Sequence, residues 1–306
     1  MQTLHTLTDN YLLFCQNQKR LDPKTLKAYR IDLKQFLEIT HPASLSSIDA
    51  SLLESYIYSL HQMYKPKTAK RKIASVKAFF HYLEYKDYIS GNPFSKIHIK
   101  FREPVILPKT IPLNTVELFL STMYHQLSLV KNDYQRRNTL RDIAVIELLF
   151  ATGMRISELC SLTFSNVNLI NRTVLIYGKG SKERIIQIGN EDVYQILCKY
   201  SDEYQGEIRQ TGYFFINHLG NPLSDQSVRR MIRKYTNTAA ITLHITPHMF
   251  RHTFATALLD ADVDIRYIQE MLGHSSINIT EIYTHVASAK QMSILSTKHP
   301  RKGFRV

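Results

Sequence analysis

Three prolines spaced by four residues constrain the fold of this chain more than any other feature of its sequence. They are Pro104, Pro108 and Pro112. Proline lacks a backbone N–H and clashes with the preceding helical turn, so no regular helix runs through this stretch. We predict three parts of the chain: a first domain at residues 1–99, an extended linker at 100–113 and a second domain at 114–306. The 306 residues are enough for two domains that each bury a core.

The sequence ahead of the linker has the periodicity of amphipathic helices. Apolar residues recur at alternating intervals of three and four in two segments: Leu26, Tyr29, Leu33 and Phe36, then Ala69, Ile73, Val76, Phe80 and Leu83. We predict helices at about residues 4–19, from Asp22-Pro23 with Asp22 as N-cap, at about 48–64, and after Pro66 with Thr68 as N-cap. Short connections between such helices predict a compact bundle.

The second domain is expected to combine helices with a small β-sheet. Helices are predicted near residues 115–124, 137–151 and 156–162, and again from about 224 to 296. Strands are predicted at residues 172–177 and 184–188, joined as a hairpin by a glycine-containing turn, with a candidate third strand at 213–216. The predicted fold class is therefore mainly α with a small β-sheet, a helical bundle followed by a mixed α/β domain.

Composition restricts the class of protein. Lys and Arg number 39 against 26 Asp and Glu, a net charge of +13, so a polyanion is the leading partner. No run approaches the roughly 18 apolar residues of a membrane span, and the start of the chain lacks a signal-peptide pattern. Cys15, Cys160 and Cys198 form neither a disulfide framework nor a metal-binding pair, as is typical of a reduced cytoplasmic protein.

Two segments of the second domain place a cationic side chain at a turn. Gly153 is predicted to end one helix and Arg155 to open the next, with Glu158 one turn away to hold the guanidinium. On its own, this pattern is more typical of a surface ion pair. Lys179 lies at the predicted hairpin tip, where it can reach into a cleft, although a lone lysine there is usually solvated.

A third segment combines histidine with arginine. Pro247 suits the start of a helix, so His248 and Arg251 lie three residues apart on one face and can grip one anion. His248 and His252 could instead be metal ligands. Against that alternative, no acidic or cysteine third ligand lies near them in the sequence, and Arg251 would repel a cation.

With a fourth segment that holds His274 and Tyr283, these side chains indicate chemistry on a phosphate. Two arginines, a lysine and two histidines are the donors needed around a phosphate whose negative charge grows in a transition state. Tyrosine is a credible nucleophile on phosphorus, and its ordinary pKa of about 10 makes the covalent bond reversible. The candidate catalytic residues are Arg155, Lys179, His248, Arg251, His274 and Tyr283.

The motifs that carry these residues resemble those of the tyrosine recombinase (phage integrase) family, particularly its short Xer-type members. They are Ala151–Leu159, Gly178–Arg184, His248–His252, Leu272–Ser276 and Ile282–Val286. The order Arg, Lys, His-x-x-Arg, His, Tyr is complete, with one mild departure at Met249-Phe250, where many relatives carry Lys-Leu. The resemblance covers nearly the whole chain, because the first hundred residues look like the family's helical core-binding (SAM-like) domain.

The resemblance implies a site-specific recombinase that forms a C-shaped clamp on duplex DNA. Tyr283 would attack a scissile phosphate to give a 3′-phosphotyrosyl bond, and two rounds of exchange would pass through a Holliday junction. The implied partners are paired recombination sites and further subunits in a tetramer; neither a metal nor ATP is implied. A type IB topoisomerase and a non-enzymatic DNA-binding protein are the alternatives, and the intact Arg155–Tyr283 set disfavours the second.

The resemblance also implies a role for each polar residue. Arg155 and Arg251 would clamp the non-bridging oxygens, a task that lysine does poorly. Lys179 would protonate the departing 5′-oxygen, and Glu158 would orient its neighbours. His248 would act as acid or base for the tyrosine proton, and His274 would donate a hydrogen bond to the phosphate.

Basic residues on two helices of the first domain are candidate DNA contacts, because they lie on stripes offset from the apolar ones. They are Lys27, Arg30 and Lys34 on one helix, and Lys67, Lys70 and Arg71 at the start of another. Lys72 lies nearer the apolar stripe and is left out. A solvated basic face is the alternative.

The segment from Val286 to Thr297 is predicted to be helical. A terminal helix usually folds back onto its own domain. The family resemblance implies instead that it docks into a neighbouring subunit and couples Tyr283 to assembly, since head-to-tail contacts can close into a ring.

Overall fold

The computed structural model describes residues 3–97, 109–178, 183–261, 263–273, 292, 294–302 and 304. The chain forms two compact units, Met1–Ile106 and Leu107–Val306. Both are mainly helical and the described strands lie in the second, so the predicted mainly α fold with a small β-sheet is confirmed. None of the described helices is both long and apolar enough to span a membrane.

The described residues of the first unit form four α-helices, with short 3-10 helices at Leu45–Ser47 and Pro93–Lys96. They are α1 (Leu4–Asn17), α2 (Pro23–Thr40), α3 (Ala50–Met63) and α4 (Pro66–Tyr85). Helix α2 begins as predicted, since the Asp22 side chain accepts a hydrogen bond from the Lys24 backbone N–H (2.7 Å). The predicted N-cap of α4 is wrong: the helix begins at Pro66 and Thr68 lies inside it. Proline suits this first position because an N–H there would have no helical partner.

The predicted apolar stripes form the core of the first unit. Fully buried aromatic rings from all four helices contribute to it: Tyr11, Phe36, Tyr56, Phe79 and Phe80. Asp32 of α2 is also fully buried, and its carboxylate accepts hydrogen bonds from Arg71, Lys72 (3.1 Å) and Ser75 (2.8 Å) of α4. Because a buried charge needs such partners, this network fixes how α2 packs on α4.

The second unit has more elements than the sequence predicts. Its described helices are α5 (Leu113–Leu129), α6 (Asp133–Thr152), α7 (Ile156–Cys160), α8 (Glu191–Glu203), α9 (Gln205–Thr211), α10 (Asp225–Thr238), α11 (Pro247–Asp260) and α12 (Ile265–Leu272). Its strands are β1 (Val167–Asn168), β2 (Thr173–Tyr177) and β3 (Glu183–Gln187), in the order β1-β2-β3. Strands β2 and β3 pair antiparallel from Thr173–Gln187 to Tyr177–Glu183, which confirms the predicted hairpin.

Several predicted boundaries in this unit are wrong. Residues 213–216 make only isolated bridges, at Tyr213 and Ile216. Phe214 and Phe215 are buried in the core, so this apolar run reflects burial rather than strand pairing. Helices α8 and α9 are absent from the prediction, a non-helical stretch separates α10 from α11, and Leu113, assigned to the linker, begins α5.

Helix α6 is the centre of the second unit. Its residues 139–152 are all buried, and it packs against α5, α8 and α11. Its one acidic residue in the apolar run, Glu147, is fully buried and accepts hydrogen bonds from Tyr124 Oη (2.9 Å) and Arg301 Nε (3.1 Å). The buried run of α6 therefore carries one member of an ion pair, Glu147, whose partner is Arg301.

The described residues near the carboxyl end pack against the second unit of their own chain. Leu295 is buried against Gly189, where an added Cβ would lie 2.7 Å from the Leu295 Cβ. His299 Nε2 lies 3.0 Å from the Ala151 carbonyl oxygen, and Arg301 is 1% exposed. Within one chain, the described part of the predicted helix at 286–297 therefore packs on its own domain, which is the alternative that the sequence left open. Docking into a neighbouring subunit stays a prediction. Residues 286–291 lie outside the described part of the chain.

Candidate active site

The turn between α6 and α7 positions Arg155. Gly153 caps α6 with a φ of +59°, in the left-handed region that favours glycine. A Cβ at Gly153 would also lie 2.5 Å from the Phe254 ring, so the turn has no room for a side chain. Arg155 is the N-cap residue of α7, and its side chain is 35% exposed. The predicted end of one helix at Gly153 and start of the next at Arg155 are confirmed.

Glu158 bonds two arginines. Its Oε2 accepts the Arg155 backbone N–H (2.8 Å), and its Oε1 accepts Arg155 Nη1 (2.8 Å). Arg184, on β3, donates Nη2 to Oε2 (2.6 Å) and Nη1 to Oε1 (3.1 Å). Burial alone would raise the pKa of Glu158, but the hydrogen bonds from Arg184 and Arg155 lower it. Glu158 therefore stays ionised and holds Arg155 in place.

Helix α11 brings Arg251 to the same turn. The helix starts at Pro247, as predicted. The buried Arg251 guanidinium donates Nη1 to the Gly153 carbonyl (2.8 Å) and Nη2 to the Leu272 carbonyl (2.7 Å). Burial, followed by the nearby charge of Arg155, lowers the pKa of Arg251 to about 10. Arg251 thus remains charged at neutral pH and joins the Arg155 turn to the end of α12.

His248 lies exposed on the first turn of α11, one turn before Arg251. Partial burial, and then the charges of Arg229, Arg251 and Arg155, lower the pKa of His248. The neutral imidazole that results at neutral pH can accept a proton. The alternative pairing with His252 as metal ligands gains no third ligand: the described residues contain no group of three or more His, Cys, Asp or Glu able to hold a metal.

Three candidate catalytic residues lie outside the described part of the chain. They are Lys179, His274 and Tyr283. The elements beside two of them are described: β2 and β3 flank the hairpin tip, and Gly273 caps α12 just before His274. Arg184 and Arg251 both bond the last carbonyl groups of α12. The tip-side end of strand β3 and the end of α12 therefore adjoin the Arg155 turn.

Positive charge exceeds negative charge around this turn. Arg155, Arg184 and Arg251 all lie near the carboxylate of Glu158, and Arg229 lies close enough to His248 to affect its pKa. Positive charges that lie close together repel one another, and a bound anion offsets this repulsion. The arrangement therefore favours the binding of a phosphate. Sequence reasoning assigned no role to Arg184 or Arg229, although Arg184 lies inside the hairpin motif.

All six candidate DNA contacts of the first unit are accessible at the surface. They are Lys27, Arg30 and Lys34 on α2, and Lys67, Lys70 and Arg71 on α4. Lys34 Nζ lies 3.7 Å from Glu38 Oε1, and Arg71, with 46% of its side chain exposed, pairs with Asp32. Lys72 is buried, in agreement with its place near the apolar stripe. The two basic faces are therefore accessible to a polyanion.

Two family models match the chain. That of the phage integrase family matches residues 123–290, and that of the phage integrase N-terminal SAM-like domain matches residues 8–86. A tyrosine recombinase of Agathobacter rectalis is 64% identical over 99% of both chains. The tyrosine recombinase XerD of Staphylococcus saprophyticus is 34% identical over 97% of this chain and 100% of its own.

A solved structure has the same fold. It is the XerH site-specific recombinase bound to palindromic difH substrate in a post-cleavage complex. Its TM-score is 0.70 at 23% identity, over 95% of this chain and 84% of that chain. The resemblance inferred from the motifs is confirmed, and the relatives do not favour the topoisomerase or non-enzymatic alternatives. The chain therefore belongs to the phage integrase family, the tyrosine recombinases, which cut and rejoin DNA.

Proposed function

We propose that this chain is a site-specific DNA recombinase that holds a scissile phosphate between Arg155 and Arg251. The observation that carries the proposal is the convergence of these two arginines, from α7 and α11, on one turn next to Glu158. Planar guanidinium groups bond phosphate oxygens in pairs, and Glu158 orients one of them. Family membership supplies the reaction type, and this geometry supports the anion site.

Tyr283 is the proposed nucleophile. Its phenolic oxygen attacks phosphorus, the bond from phosphorus to the 5′-oxygen breaks, and a 3′-phosphotyrosyl bond forms. A 5′-hydroxyl from a partner duplex then attacks this bond and releases the tyrosine. Two such rounds pass through a Holliday junction. The proposed reaction needs no ATP, because the phosphotyrosyl bond conserves the energy of the broken one, and cationic side chains take the place of a metal.

Three further side chains move protons or bond the phosphate in this proposal. Lys179 protonates the leaving 5′-oxygen. His248 accepts the phenolic proton of Tyr283, a task that suits an imidazole whose lowered pKa keeps it neutral at pH 7. His274 donates a hydrogen bond to a phosphate oxygen, where negative charge grows in the transition state.

The proposed partner is duplex DNA with paired recombination sites. XerH is bound to a palindromic substrate, and a palindrome offers two equivalent half-sites, so two paired sites would take four subunits. We therefore infer a tetramer on the paired sites, with the basic residues of the first unit along the DNA backbone. The proposed location is the cytoplasm, which suits three free cysteines.

Substitution of the nucleophile tests this proposal. Genomic fragments that the protein selects by binding are nicked near the cleavage point, so that cleaved complexes cannot religate. The wild type is expected to accumulate a covalent adduct on denaturing gels. Tyr283→Phe is expected to bind the same DNA equally well and to form none, because only the phenolic oxygen is removed. A normal adduct from this variant would refute the assignment.

A second measurement distinguishes strand exchange from relaxation of a single duplex. Plasmids with one or two copies of the selected site are incubated with the protein, and their products are separated. Recombinant circles are expected from the two-site plasmid. Relaxation of both plasmids without recombinants would indicate a type IB topoisomerase instead.

A further inference from the structure

Arg184 connects three elements of the active site. From β3, its guanidinium bonds both oxygens of the Glu158 carboxylate, and its Nε donates to the Met271 carbonyl at the end of α12 (2.8 Å). The close approach depends on Gly273, whose φ is +66° and where an added Cβ would lie 2.9 Å from Arg184 Nη1. The hairpin, the Arg155 turn and the end of α12 are thus held by one side chain.

Arg184 is placed to bond protein rather than DNA. Its side chain is 8% exposed, and each of its three nitrogens donates to a protein oxygen. Arg155 is different: its side chain is 35% exposed, and among the described residues its guanidinium bonds only Glu158, through Nη1. Of the two arginines on this carboxylate, Arg155 therefore keeps donors for a phosphate.

The two arginines compete for a limited number of acceptor positions. A carboxylate offers about four lone-pair positions. Here the Arg155 backbone N–H and Arg155 Nη1 take one on each oxygen of Glu158, and Arg184 takes one more on each. Without Arg184, the whole charge of Glu158 would act on Arg155 and favour a two-bond pairing, which uses the donors that a phosphate needs.

We propose that Arg184 is a positioning residue for strand cleavage. By sharing Glu158 it keeps the Arg155 guanidinium available to the scissile phosphate, and by bonding the Met271 carbonyl it fixes the end of α12 ahead of His274. The inference rests on the proposed function, since it assigns Arg184 a role in the same cleavage step.

Cleavage rates of charge-removing variants test the inference. Single-turnover adduct formation on the nicked substrate is measured for the wild type, Arg184→Gln, Glu158→Gln and the double variant, with DNA affinity and thermal melting for each. Arg184→Gln is expected to cleave about 10-fold to 100-fold more slowly, as for other residues that orient reactive groups, with DNA affinity unchanged. The matched control is Arg172→Gln, which removes an arginine paired with Glu191 near the start of β2 and is expected to cleave normally.

The double variant separates competition from a structural role. If Arg184 acts by sharing the charge of Glu158, Glu158→Gln in the Arg184→Gln background should restore part of the lost rate, since no carboxylate remains to capture Arg155. Independent structural losses would instead add, and the double variant would be slowest. Additive losses, or a wild-type rate in Arg184→Gln, would overturn the inference.

Two controls keep the result interpretable. If Arg184→Gln does not fold, Arg184→Lys and Arg184→Lys/Glu158→Gln replace it under the same criterion, because lysine keeps the charge but not the paired geometry. The wild type reports on the proposed function separately. No adduct from the wild type refutes that function and the inference with it, whereas a wild-type adduct with a normal Arg184→Gln rate refutes the inference alone.

Discussion

Arg251 is a buried cation, and hydrogen bonds to the protein already use part of its guanidinium group. Two of its nitrogens donate to the Gly153 and Leu272 carbonyls. A lysine side chain has a single nitrogen. It cannot bond the Gly153 carbonyl, the Leu272 carbonyl and a phosphate at the same time. Arg251→Lys is therefore expected to slow single-turnover cleavage by at least about 100-fold while DNA affinity changes little.

The control for this prediction is an arginine on the same unit that is mostly exposed. Arg266 pairs with Asp264 at the start of α12 and has 70% of its side chain exposed. Arg266→Lys is expected to cleave at the wild-type rate. Equal rates for the two variants would contradict the placement of Arg251 at the phosphate.

His299 predicts how stability depends on pH. Its Nε2 lies 3.0 Å from the Ala151 carbonyl, and its Nδ1 accepts the Arg301 backbone N–H (2.9 Å), so the ring fits its neutral form. Burial lowers its pKa from 6.5 to about 4. The unfolded chain therefore binds the proton more tightly. Stability is full above about pH 6.5 and falls as the pH drops toward 4, by about 3 kcal/mol from this group.

His299→Gln isolates this contribution, because an amide can make the same two hydrogen bonds without titrating. Denaturant unfolding of both proteins is measured between pH 7.5 and about 4.5. The wild type is expected to lose its advantage over the variant as the pH falls. Parallel pH profiles would show that His299 is not the group responsible.

For single residues, the sequence predicts those side-chain contacts whose two partners are close together in the chain. The pairing of Arg155 with Glu158 is predictable because they are three residues apart and a helix start lies between them. The partner of Arg184 lies 26 residues away and that of Asp32 lies 39 residues away, so only the folded chain brings them together. The sequence therefore points to Arg155 and Arg251 as candidate phosphate ligands but gives no sign of the contacts made by Arg184 and Asp32.

The basic face of α2 predicts the salt dependence of DNA binding. Lys27, Arg30 and Lys34 are accessible on one helix. Each phosphate that they neutralise releases counterions, so their combined replacement by Gln should lower the slope of log affinity against log salt by about one unit for every phosphate no longer neutralised. Lys131→Gln, at an exposed position of the second unit, is the control and should leave the slope near that of the wild type.

An unchanged slope in the triple variant would show that this face of α2 is only solvated. The corresponding face of α4 differs because Arg71 also pairs with Asp32. Arg71→Gln therefore removes a partner of a buried carboxylate as well as a basic group. Replacement of Lys67 and Lys70 by Gln is therefore the better test of DNA binding by this face of α4.

Elements were predictable where local signals agree. Helix α2 has an N-cap, a proline at its first position and an apolar stripe, and its start is correct. Residues 213–216 are apolar and β-branched or aromatic, but Tyr200 Oη bonds the Phe214 carbonyl (2.9 Å) and the run packs into the core without a pairing strand. Burial and strand pairing favour the same residue types, so composition cannot separate them.

At the scale of the whole molecule, the ion pair of Glu147 and Arg301 joins the central helix to the carboxyl-terminal segment. Both side chains are at most 1% exposed. Arg301→Met would leave the Glu147 carboxylate buried without its charge partner, and is expected to lower the free energy of unfolding by about 3–5 kcal/mol. Arg209→Met, on the exposed face of α9, is the control and should cost far less.

Removal of both charges is expected to cost less than removal of one. In Glu147→Gln/Arg301→Met no buried charge remains, so part of the lost stability should return. Denaturant unfolding of the full chain measures Arg301→Met, Glu147→Gln and the double variant. If the double variant is the less stable by the sum of the single losses, the two residues do not act as a pair.

The same ion pair has a consequence for the order in which a nascent chain folds. Glu147 and Arg301 are 154 residues apart, and Ala151 and His299 are 148 apart. Contacts so distant in sequence form late, because closing a long loop costs entropy. The first unit takes its core from residues before position 98, so it can fold on the ribosome while the second unit is still being made. The carboxylate at the centre of the second unit gains its countercharge only when position 301 has been translated. Until then, the helix that carries Glu147 and ends at the Arg155 turn lacks its buried ion pair.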